Sequence, residues 1–164
     1  MKRSVPTLSI PVAVVAAVLL VTAGSAAAVL AAPSATSAHA KVEIVNTKLG
    51  KVIANGRAHT LYMFGKDKKS KSACFGACAQ AWPPLTTSGT PKASAGITAS
   101  KLGTTSRGKG VKQVTYNGHP LYLFVKDTGA RQTNGQGINA FGGKWSALSP
   151  TGKAAAQSGS PNGY

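Results

Sequence analysis

The pattern His-x-Leu-Tyr-x-Phe-x-Lys-Asp occurs twice in this chain, at His59–Asp67 and at His119–Asp127, offset by 60 residues. Each copy is preceded by a Lys-Leu-Gly opening, Lys48-Leu49-Gly50 and Lys101-Leu102-Gly103, offset by 53. The second copy therefore carries about seven extra residues, in the region of Arg107 to Gly110. A pattern this long does not recur by chance, and the chain is a tandem duplication. Whatever structure one copy takes, the fold must contain it twice, over about 48–85 and about 101–148.

Each copy reads as strand and hairpin. Asn117-Gly118 lies between Val111–Tyr116 and Leu121–Phe124, and an Asn-Gly pair there predicts a tight turn with positive φ at both residues. Asn55-Gly56 is a looser version in the first copy. Tyr62 and Phe64 share one strand face, as do Tyr122 and Phe124, while Leu61, Met63, Leu121 and Leu123 occupy the other. With apolar groups on both faces, these strands are expected to be packed on two sides. Val42–Val45, Val52-Ile53 and Lys144–Leu148 suit further strands. Between the copies, the alanine-rich stretch from Cys74 to Ala81 predicts one short helix, ended by Pro83-Pro84. Thr86–Ser100 reads as a surface linker, and 149–164 as a disordered tail with little to bury. The fold class is mainly β: a small barrel or sandwich of two hairpin-containing repeats related by a pseudo-twofold axis.

Lys2 and Arg3, the apolar run from Leu8 to Ala32 and the Ala38-His39-Ala40 exit have the three-part form of a secretory signal. Residues 1–40 are assigned to it; an uncleaved anchor is the rival, since about 20 apolar residues span a bilayer. The duplicated domain is then 41–148. Without Lys2 and Arg3, the net charge of +16 falls to +14. Such a balance commonly marks nucleic-acid binding. Export and the scattered lysines argue against that and favour anionic wall polymers or lipid head groups.

The twin segments Tyr62-x-Phe64-x-x-Asp67 and Tyr122-x-Phe124-x-x-Asp127 resemble the secreted or lipoprotein repeat family of unknown function, described by a Tyr-x-aromatic-x-x-Asp motif. Cys74-x-x-x-Cys78-Ala79-x-x-Trp82-Pro83-Pro84-Leu85, Tyr116-Asn117-Gly118-x-Pro120-Leu121-Tyr122 and Gly135-Gln136-Gly137-Ile138-Asn139 extend the resemblance. It implies an envelope or extracellular location and supplies no agreed activity. Many relatives are tethered through a cysteine after the signal. This chain has only Cys74 and Cys78, so no lipid anchor is expected.

Three acidic residues occur, Glu43, Asp67 and Asp127, and the aspartates occupy matching places in the two copies. They read either as a carboxylate pair for hydrolytic or cation-holding work, or as strand-end residues that bond the backbone of the following turn. In an exported chain Cys74 and Cys78 form a disulfide. Their alternative is a soft-metal or thiol-redox site with His59, His119 and Met63, for which copper is the implied cofactor. No catalytic or nucleotide-binding motif occurs. The reading is an exported, non-enzymatic structural or binding protein of the cell envelope, with copper handling as the alternative.

Overall fold

The computed structural model describes residues 39–156. The segment 1–40 assigned to a signal therefore lies outside the described residues apart from its last two positions, as does 157–164 of the expected tail.

The described chain opens with β1 (Lys41–Thr47), which turns back into antiparallel β2 (Gly50–Asn55) of the first copy with Ile44 opposite Ile53. After a loop closed by Asn55 and His59 comes the short β3 (Tyr62–Phe64). Helix α1 (Ala77–Ala81), β4 (Thr86–Thr87), β5 (Lys92–Ala93) and one 3-10 turn (Ala99–Lys101) lead to the second copy. There β6 (Leu102–Ser106) and β7 (Lys112–Tyr116) pair antiparallel, followed by β8 (His119–Pro120), β9 (Asn139–Ala140) and β10 (Gly143–Ala147). The expected Asn-Gly turn joins β7 to β8, with Asn117 at φ 51° and Gly118 at φ 78° and Tyr116 opposite His119. The strands fall into several sheets with no closed barrel among the described residues, so the sandwich is the form observed.

The copies exchange their last strands. β10, from the second copy, pairs with β3 of the first, setting Trp145 opposite Phe64 and Ala147 opposite Tyr62. Leu148 N–H donates to Leu61 O, and Ile53 N–H donates to Leu148 O. The reciprocal contacts join the end of the first copy to the second: Leu85 N–H donates to Leu121 O, Val114 N–H to Leu85 O, and Pro84 bridges Tyr122. At the crossing, Tyr62 and Tyr122 face each other and exchange both backbone hydrogen bonds, at 2.9 and 3.0 Å. That pair marks the pseudo-twofold relation.

Two apolar clusters lie on the two faces of these strands, as the period-2 pattern requires. One holds Tyr62, Phe64, Tyr122 and Phe124 with Trp82, Trp145 and both cysteines. The other holds Leu61, Leu121, Ile53, Val114, Tyr116 and Leu148, with Met63 and Leu123 packed against it.

Three expectations are corrected. Thr86–Ser100, expected as a surface linker, is largely exposed but is also part of the sheets: β4 pairs with β7, β5 lies parallel to β1, and Ile97 is buried. Ser149–Ala156 is not disordered, because Ser149 N–H donates to Lys153 O, Ala154 bridges Leu148, and Ala155 is buried. Both segments are held by backbone hydrogen bonds, which polar and small residues make as well as apolar ones do. The helix is shorter than the predicted Cys74–Ala81, because Gly76 sits at φ 54° and keeps the preceding residues out of it.

Candidate functional site

The repeated motif forms a reciprocal lock. Tyr62 Oη donates to Asp127 Oδ2 at 2.5 Å, and Tyr122 Oη donates to Asp67 Oδ2 at 2.9 Å. Each tyrosine thus reaches the aspartate of the other copy. The second oxygen of each carboxylate binds the loop that follows it: Asp67 Oδ1 accepts from Ala73 N–H at 2.7 Å, and Asp127 Oδ1 accepts from Asn134 N–H at 2.9 Å. Burial is the main reason that Asp67 binds its proton more tightly than an ordinary carboxyl, and it pushes both phenols far above their usual range. The phenols are therefore neutral donors, and both carboxylates are fully engaged by the protein. Two surface clefts, of about 450 and 390 Å³, are lined by neither aspartate. The arrangement favours the turn-closing role over acid–base work, with the cross-copy tyrosine bond added.

Behind the lock lies a stack of four rings. Phe64 stacks on Trp145 at 4.2 Å, Trp145 on Trp82 at 3.9 Å, and Trp82 on Phe124 at 4.1 Å between centroids. Tyr62 meets Trp82 edge-on, and Tyr122 meets Trp145 in the same way. The stack obeys the same symmetry as the lock. Trp82 and Trp145 head matching Trp-x-x-Leu segments, Trp82–Leu85 and Trp145–Leu148, a signal present in the sequence beyond the tyrosine motif. Gly135 lies against the stack, where a Cβ would meet Trp82 at 2.8 Å and Tyr62 at 2.9 Å, so only glycine fits.

Cys74 and Cys78 are joined as a disulfide with Cα atoms 5.2 Å apart, and both are buried. Arg107, from the extra segment of the second copy, clamps this loop. Its guanidinium donates to Ser72 Oγ at 2.7 Å, to Gln113 Oε1 at 2.8 Å and to Cys74 O, and it stacks 4.4 Å over the Phe75 ring. Ser72 Oγ in turn lies 2.8 Å from Tyr122 Oη, linking the clamp to the lock. Nothing in the local sequence marks Arg107 as a clamp, because its partners in the disulfide loop, Cys74 and Ser72, are 33 and 35 positions away.

The alternative copper donors are not brought together. His59 Nδ1 lies 3.1 Å from Asp127 O, His119 stands in β8 with burial depressing its proton affinity, and Met63 packs on the second apolar cluster. Among the described residues no three His, Cys, Asp or Glu side chains are grouped to hold a metal ion. No described helix is long and apolar enough to cross a membrane.

Fold and site define a duplicated, strand-exchanged β module in which the repeated Tyr-x-Phe-x-x-Asp motif works as an internal lock. The chain belongs to the family of secreted repeats of unknown function, whose model matches residues 43–86 and 103–149. No curated protein and no solved structure matches it.

Proposed function

We propose that this secreted domain is a non-catalytic binding module that holds anionic polymers of the cell envelope to its basic surface. One observation carries the reading: all three acidic residues are engaged. Asp67 and Asp127 are bonded to Tyr122 and Tyr62 inside the fold, and Glu43 pairs with Lys41 at 3.0 Å. Three acidic residues stand against 17 lysines and arginines in the chain without Lys2 and Arg3, a net charge of +14. Such a field attracts polyanions without needing a shaped pocket, and its strength falls steeply with salt. The rigid, doubly packed core and the closed disulfide suit a scaffold that presents charge rather than one that moves to catalyse.

The secreted protein is titrated with fluorescent dextran sulfate and with uncharged dextran across a salt series. Binding to the sulfated polymer alone, weakening continuously as salt rises, supports the proposal. Equal binding to both polymers, or none to either at low salt, overturns it.

A further inference from the structure

The two places where the copies differ most meet at one edge of the molecule. The first copy contributes the loop from Lys68 to Cys78, with its disulfide; the second contributes the turn between β6 and β7, built from its extra residues. Thr105 Oγ1 donates to Ser70 O, and Arg107 binds Ser72 Oγ and Cys74 O, so the two segments are laid side by side. Both are rigid. Lys68 and Lys71 exchange backbone hydrogen bonds across a tight turn with Ser70 at φ 54°, and Gly108, Lys109 and Gly110 all take positive φ.

This edge exposes cations and apolar groups together, and two of the four exposed large apolar side chains among the described residues, the others being Val125 and Phe141, lie on it. Lys68, Lys69, Lys71, Lys109 and Lys112 all project as exposed cations. Among them stand two large apolar side chains that the fold leaves in solvent, Phe75 at 53% and Val111 at 42% exposure. Phe75 sits between the two cysteines of the disulfide loop, and Arg107 both covers one face of its ring and pairs in the backbone with Val111. The nearby acid, Asp67, is turned inward onto Tyr122.

We infer that this edge is a docking surface for an anionic lipid bilayer, with Phe75 and Val111 entering the head-group region and the surrounding lysines meeting lipid phosphates. The inference rests on the proposed reading of the surface as a polyanion binder and adds the partner. Lysines alone do not separate a bilayer from a hydrophilic polymer, since both offer negative charge. The exposed apolar pair favours the bilayer, whose boundary accepts apolar side chains and attracts cations at once. A disulfide and an arginine clamp holding that ring outward also lower the ordering cost of insertion.

The test uses the secreted protein with sedimented vesicles of phosphatidylglycerol and phosphatidylcholine in about equal parts, against phosphatidylcholine alone. Phe75→Ser is expected to weaken binding to the anionic vesicles about tenfold while leaving binding to dextran sulfate unchanged. The triple variant Lys68→Glu, Lys69→Glu, Lys71→Glu is expected to weaken vesicle binding at least as much. Reversing Lys51, Arg57 and Lys92, which lie on or beside the β1–β2–β5 sheet, is expected to weaken it less. Near-ultraviolet dichroism of the stacked tryptophans confirms that each variant is folded. Binding of Phe75→Ser equal to that of the parent, or equal weakening by the two triple variants, overturns the docking surface. Dextran sulfate binding without vesicle binding overturns it while the polyanion reading stands. Failure to bind either sinks both.

Discussion

Asp67 accepts hydrogen bonds from Tyr122 and from the Ala73 backbone, with Arg107 adding attraction, yet its proton affinity is raised because burial outweighs them. Since the folded state holds this proton more tightly than the unfolded chain does, the folded state is favoured at acid pH. That advantage is lost as pH rises through the folded-state pKa. His119 works in the opposite sense, its depressed proton affinity making acid pH unfavourable. The comparison with Asp67→Asn separates the two. Between about pH 7 and about pH 4 the parent should gain melting temperature on acidification relative to Asp67→Asn. Parallel thermal melts across that window would contradict the assignment. Among the rings, Phe124 stacks on Trp82 and is nearly buried, so Phe124→Ala should lose about 3–5 kcal/mol in urea denaturation. The tyrosine motif was visible as a repeat, and its alternation placed both rings on one face. That each phenol reaches the other copy's aspartate was not visible, because a repeat shows which residues correspond and not which ones touch.

The β7–β8 hairpin and the disulfide loop represent opposite kinds of element. In the hairpin, Asn117 and Gly118 take the positive φ that their types tolerate, so local chemistry alone sets the turn. In the loop, α1 is only five residues long, has no side-chain cap and begins after a glycine at φ 54°, so local preference contributes little. Its conformation is held by the Cys74–Cys78 bond and by Arg107. Reduction should lower stability by about 2 kcal/mol, read as a shifted denaturation midpoint with and without reductant. An unmoved midpoint would mean that the hydrogen bonds of Arg107 and Asp67 hold the loop without the disulfide. The segments 86–100 and 149–156 are a third kind. Their pairing comes from backbone groups, which carry no residue-specific signal, and so composition made them look loose.

At the scale of the molecule, strand exchange makes the two copies one cooperative unit. Trp82–Thr87 completes the sheet of the second copy through Val114 and Tyr122, and β10 completes the first through β3. A fragment of residues 34–100 would leave the Trp82–Leu85 segment without its sheet and Tyr62 without Asp127. It is expected to be unfolded at low concentration, or to fold only as a homodimer in which two first copies exchange strands. Size-exclusion chromatography with dichroism over a concentration series tests this, and a folded monomeric fragment would refute it.

Residue order alone established the duplication, the β character, the two-faced strands and the Asn-Gly turn, because each rests on correspondence or on preferences acting within a few positions. It also held the Trp-x-x-Leu correspondence, which becomes meaningful once Trp82 and Trp145 are seen stacked 3.9 Å apart. Partner choice required the folded chain. Tyr62 and Asp127 are 65 positions apart, and Arg107 and Cys74 are 33 apart. A chain equally supplied with matching tyrosines and aspartates in two copies can satisfy them within a copy or between copies. Only the crossing at Tyr62 and Tyr122, where the two backbones pair, turns each side chain toward the opposite half.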